Sequence, residues 1–147
     1  MSSSDGLGLP DPVVRLILGV LGAVQATDGL YALFAPRSFY DDFPLGRGWV
    51  EALPAYNEHL VRDVGGLFLA TAIILIAAAI YLERRLVLIT CVAFLAFALP
   101  HAVWHTGNLD GFDTFDTVGN LVGVWFLVAG PLVVLAGMWR ARGSGVS

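Results

Sequence analysis

The sequence contains no lysine: all eight of its basic residues are arginines. Twelve acidic residues outnumber them, giving a net charge of −4, and no segment gathers a basic stripe. Nucleic acid is therefore a disfavoured partner. The single cysteine, Cys91, lies inside an apolar run. It rules out an intramolecular disulfide and reads as a small buried apolar residue. No nucleophile elbow, phosphate loop or paired-cysteine redox motif occurs, which sets aside the commonest enzyme classes. Charge itself is scarce, at 14% of residues, whereas 57% are hydrophobic.

The mean hydropathy of +0.76 is far above that of a soluble domain of this size. Four apolar runs account for it, near 13–35, 60–82, 86–105 and 118–139. Each is long enough to cross a hydrocarbon core, which takes about 20 helical residues. In lipid each must be helical, because an unpaired backbone amide there costs several kcal/mol. The expected fold class is all-α: an integral membrane four-helix bundle forming one domain over 1–147. The turn at Glu83–Arg85 makes the second and third spans an antiparallel hairpin. The breaker-rich start reads as a frayed tail over 1–11, with Asp11 as N-cap and Pro12 at the first helical position. A second flexible tail is expected over 143–147. A cleavable signal peptide is not expected, since a basic leader is missing and the first apolar run has span length.

Arginine placement sets the orientation. Arg15, Arg84, Arg85, Arg140 and Arg142 share one side of the four-span layout. On the other side Arg37, Arg47 and Arg62 are diluted by eight acids: Asp41, Asp42, Glu51, Glu58, Asp63, Asp110, Asp113 and Asp116. Both termini are therefore expected to be cytoplasmic, in the cell (inner or plasma) membrane. Small residues four apart, Gly19 with Ala23, Gly22 with Ala26 and Gly119 with Gly123, allow close helix packing. Pro100 and Pro131 are expected to kink the third and fourth spans. In the first outer loop Phe39, Tyr40, Phe43, Trp49, Leu53 and Tyr56 alternate with charges and breakers. They predict a short interfacial helix, read either as a lid or as an ordinary aromatic belt.

The cytoplasmic half of the bundle is nearly pure Leu, Ile, Val and Ala, while the outer half carries polar residues on every helix. Gln25 and Asp28 lie three apart in the first span, while Glu58, His59, Arg62 and Asp63 open the second. His101 and His105 end the third, and Asp116 and Asn120 lead into the fourth. His59 with Asp63, and His101 with His105, are i, i+4 pairs, and each pair shares a helix face. On antiparallel neighbours His59 is level with His105 and Asp63 with His101. Convergence of the four would give three imidazoles and a carboxylate, a ligand set for zinc, copper or iron. Haem held by His59 opposite His101 or His105 is a further variant. Asp110, Asp113, Asp116 or Glu58 would then orient the ligands or act as bases. Asp28, deepest of the carboxylates, is expected to face the interior with Gln25 and to pair with Arg62 or a histidine. Two other readings stay open: an interhelical hydrogen-bond network, and proton handling. In "DGFDTFD" the aspartates read as a turn followed by a helix start at Asp116 or Thr117.

The stretches "RLILGVLGAVQATDGLYALFAP" and "VRDVGGLFLATAIILI" resemble the small four-helix bacterial membrane proteins of the DoxX type. The resemblance rests on the glycine-rich first span ending at Pro36 and on Arg62 followed by Gly65 and Gly66. It implies a four-helix integral membrane fold in a group with a few members linked to redox complexes. Two functions compete. One is a metal- or cofactor-binding membrane protein working at the outer face. The other is an accessory or assembly subunit docking, as a homodimer or in a larger membrane complex, through its glycine-lined spans.

Overall fold

The computed structural model describes residues 6–52 and 55–143. The tail positions 1–5 and 144–147, and Leu53 of the aromatic segment, lie outside the described residues. Among the described residues there are five helices and no strand: α1 (Asp11–Phe34), α2 (Pro36–Asp42), α3 (Glu58–Tyr81), α4 (Arg84–Gly107) and α5 (Thr114–Gly143). All except α2 are long and apolar enough to cross a membrane. Around the bundle the long helices follow the order α1, α3, α4, α5, with α5 closing back onto α1. The tightest pairings are α1 on α3 and α4 on α5.

The helix ends follow local chemistry. Helix α1 starts one residue earlier than the Asp11 cap predicts: Pro10 occupies the cap position, and its carbonyl accepts from Val13 and Val14. Ala35 breaks the chain from the α1 direction, and Pro36 restarts it as α2, where a missing N–H at the first turn is harmless. The Asn57 side chain caps α3 through Leu60 N, and Glu83 caps α4 through Arg85 N and Leu86 N. Leu82 takes a left-handed conformation between α3 and α4, which lets a two-residue link reverse the chain. For α5 the expected start at Asp116 or Thr117 is corrected to Thr114. Asp113 is the capping residue, its Oδ1 accepting from Asp116 N at 2.8 Å. Helices α4 and α5 continue through Pro100 and Pro131.

Close packing of α1 on α3 is a glycine effect, and of the four-residue pairs of the sequence only Gly22 takes part in it. A Cβ at Gly29 would stand 2.8 Å from Leu69 N and 2.9 Å from Gly65 O. One at Gly65 would meet Leu33 N at 2.7 Å, and one at Gly22 would meet Ile76. Gly19 and Gly123, by contrast, have nothing within 4 Å. Gly22, Gly29 and Gly65 thus let two backbones approach as larger residues would not. At the opposite end from α2, Arg15 Nη1 donates to Ala79 O and Ile80 O, both at 2.7 Å. A guanidinium at these unpaired carbonyls satisfies the α3 C-terminus and its partial negative charge.

Below lies an apolar core of Leu18, Leu21, Leu75, Val87, Cys91, Phe94 and Val134. The expected frayed tail is corrected for residues 6–10. Leu7 is fully buried in that core, Leu9 packs on Gly137, and Arg84 Nε donates to Gly6 O. Gly8 adopts φ +70°, and a Cβ there would strike the Gly137 carbonyl, so the tail lies flat on α5 only because this residue has no side chain.

Candidate functional site

The end of the bundle opposite residues 6–10 and the C-terminal end of α5, called the outer end by its label in the four-span layout, is covered by the segment after α1. Helix α2 lies against α1 and α3, with Phe39 buried and packed edge-on to Tyr31. The chain beyond it crosses to α5. There Arg47 pairs with Asp116 and, at 3.3 Å, with Asp113, while its guanidinium also covers the Phe115 ring. Trp49 Nε1 donates to the same Asp116 carboxylate at 2.8 Å, and its ring rests on Gly119 and Phe112. The Asp116 carboxylate holds the Arg47 guanidinium above its ordinary pKa. Helix α2 is the short helix expected in this segment. Nothing in the sequence tied Arg47 and Trp49 to Asp116 in particular.

The three histidines and Asp63 form two separate pairs rather than one set of four. His59 Nε2 lies 3.3 Å from Asp63 Oδ2, with the two side chains 87% and 57% exposed on the outward face of α3. His101 and His105 stand side by side on α4, ring centroids 4.5 Å apart and nearly perpendicular. His101 stacks on Phe97 and His105 meets the edge of Trp104. Among the described residues no three His, Cys, Asp or Glu side chains are grouped closely enough to hold one metal ion. The divergence has a simple geometric origin. The interior stripe of α3 runs through Gly65, Ala72, Leu75 and Ala79. Asp63 is two residues from Gly65, hence about 200° around the helix and on the opposite face. His101 and His105 each lie three residues from the buried Ala98 and Ala102, about 60° off the α4 stripe, so they flank the interior.

The expected supporting residues separate in the same way. Glu58 accepts from Arg62 at 2.9 Å, and Arg62 also donates to the Leu33 carbonyl. Arg62 is thus committed to the α1–α3 contact, which corrects its expected pairing with Asp28. Asp113 and Asp116 serve the cap and the clasp, and Asp110 is exposed in the turn before α5. None of these carboxylates orients a histidine. Inside the bundle, Gln25 and Asn120 are 1% and 3% exposed. Gln25 Oε1 is buried without a hydrogen bond, whereas Asn120 Oδ1 and His105 Nδ1 are buried without a well-formed one, the Asn120 side chain lying close enough to His105 to bond with it. Asp28 is half-buried and makes no ion pair or hydrogen bond among the described residues.

No protein-family model, curated protein or solved structure matches the chain. Its chemistry must therefore be read from its own side chains. A direct hydrogen bond between spanning helices does exist, Trp125 Nε1 to Thr106 Oγ1 at 3.1 Å. The Gln25, Asp28, His101 and Asn120 side chains take no part in it. The interior of this half thus presents polar groups, Gln25 Oε1 and the Asp28 carboxylate, that find no partner among the described residues. Such groups are rare in native structures, and each costs about 1–3 kcal/mol when left unpaired.

Proposed function

We propose that this chain is a multi-pass protein of the cell membrane, with both termini cytoplasmic, that binds a transition-metal ion or redox cofactor in its outer half. The donors are His101 and His105. The observation that carries this reading is the imidazole pair itself, on successive turns of α4 beside the interior, with His105 Nδ1 buried. A metal-bound imidazole uses one ring nitrogen for the ion and the other for an orienting partner. Asn120, next to His105, is placed for the second role. Zinc, copper and iron all accept imidazole, and two protein donors leave positions open for water or substrate. Such an ion would polarise a bound oxygen or exchange electrons. The likeness to DoxX-type proteins, a few of them linked to redox complexes, leans the same way.

Metal analysis and ultraviolet–visible spectra of the purified protein test the proposal, beside a His101→Ala/His105→Ala variant. The expected result is about one equivalent of metal or cofactor in the wild type and none in the variant. Wild-type protein that is colourless and takes up no zinc, copper or iron refutes it.

A second reading, an accessory subunit of a larger membrane complex, is favoured by a separate observation. Gly19, Ala23 and Thr27 on α1 and Gly66 with Ala70 on α3 lie away from the interior, and added Cβ atoms at Gly19 and Gly66 would meet nothing. Small residues on outward faces suit docking to another membrane helix. Extraction in mild detergent distinguishes this reading: Gly19→Leu and Gly66→Leu release a bound partner without altering metal content.

A further inference from the structure

We infer that Asp28 and Gln25 form a binding site for a small monovalent cation, of the sodium type, deeper in the bundle than the imidazole pair and separate from it. The first ground is charge. Every arginine at the outer end is engaged elsewhere: Arg37 with Asp41 at 2.7 Å, Arg47 with Asp113 and Asp116, and Arg62 with Glu58 and the Leu33 carbonyl. Asp28 is therefore a carboxylate inside a span-length apolar helix with no countercharge among the described residues. A low-dielectric interior does not hold such a group bare: it takes up a proton or a cation.

The second ground is the amide one turn away. Gln25, three residues before Asp28 and on the same side of α1, is 1% exposed, yet its Oε1 has no hydrogen bond. Asn120, on α5, belongs with the imidazole pair instead, within hydrogen-bonding reach of His105. The first spanning helix thus sets an amide oxygen and a carboxylate about one turn apart on the same side, and among the described residues no donor is paired to either.

The donor set selects the ion. Carboxylate and amide oxygens are hard donors suited to hard cations, unlike the imidazoles, which suit transition metals. One carboxylate neutralises one positive charge. A divalent ion such as calcium would leave one uncompensated positive charge in the interior.

The test uses the full-length protein in detergent, unfolded by heat and followed through its tryptophan fluorescence, with sodium chloride replaced stepwise by choline chloride at constant ionic strength. The inference predicts a saturable rise in Tm of about 3 °C or more between sodium-free buffer and about 100 mM sodium. Asp28→Asn, nearly isosteric, should abolish the sodium response. Should that variant not fold, Gln25→Leu serves instead, with the sodium concentration at half-effect raised about tenfold. The His101→Ala/His105→Ala variant keeps the full response, so loss of the transition-metal proposal leaves this one standing, and the reverse. Equal Tm values in sodium and choline overturn the inference, as does a response to pH alone, which would make a proton the occupant. Retention of the sodium effect in Asp28→Asn, or an unchanged half-effect concentration in Gln25→Leu, overturns it too.

Discussion

Replacing Gly29 by alanine adds one methyl group at the tightest point of the bundle, and the outcome depends on two opposed effects. Alanine favours a helix over glycine by about 1 kcal/mol. Against this, the new Cβ would lie 2.8 Å from Leu69 N, 2.9 Å from Gly65 O and 3.2 Å from the Phe68 Cβ. Two of these neighbours are α3 backbone atoms, which cannot rotate aside. Carbon contacts are comfortable at about 3.5–4.0 Å, so the helices must part by roughly half an ångström or more, and contacts along the seam weaken. Overpacking of this kind costs about 1–3 kcal/mol. The net expectation is a loss of about 1 kcal/mol, with Gly19→Ala as the control. That site meets nothing within 4 Å and should gain from propensity alone. Reversible unfolding in mixed micelles with increasing SDS, read by circular dichroism, measures both variants. Adding Gly65→Ala to Gly29→Ala should cost less than its effect alone, because the helices have already separated. Gly29→Ala as stable as Gly19→Ala would refute the close backbone contact between α1 and α3.

Three further outcomes follow from the same geometry. Arg15→Leu removes both hydrogen bonds from the Ala79 and Ile80 carbonyls and should lower stability by about 1–2 kcal/mol in the same unfolding assay. Asp116→Asn takes away the carboxylate shared by Arg47 and Trp49, so limited proteolysis within 43–52 should become several-fold faster while the spans stay protected. His59→Ala removes an outward side chain paired only with Asp63; stability should stay within about 0.5 kcal/mol of wild type, and metal content should not change.

The spans were legible because the bilayer length requirement and the apolar runs coincide, and the helix ends fall within a few residues of the expected positions. The short outer helix was legible too, since Pro36 both ends one helix and starts another. The candidate site was legible only in part. Spacing of four shows that His59 and Asp63 share a face, and likewise His101 and His105, but it leaves open which way that face points. The direction is set by the interior stripe, Gly65 to Ala79 on α3, and its two-residue offset from Asp63 turns the His59 pair outward. The commitments of Arg62 and Asp116 were not readable either, since they depend on contacts to residues 29 and 69 positions away. The spacing of Gln25 and Asp28 marks an interior face, and their lack of a partner among the described residues emerges only once every neighbouring arginine is placed.

The most direct test of the proposed metal site is anomalous diffraction from crystals of the full-length protein grown with zinc or copper, recorded at the metal's absorption edge. The account predicts one strong peak within bonding distance of the His101 and His105 imidazoles, in the outer half of the bundle. A peak at His59 and Asp63 alone, or none inside the bundle, contradicts it.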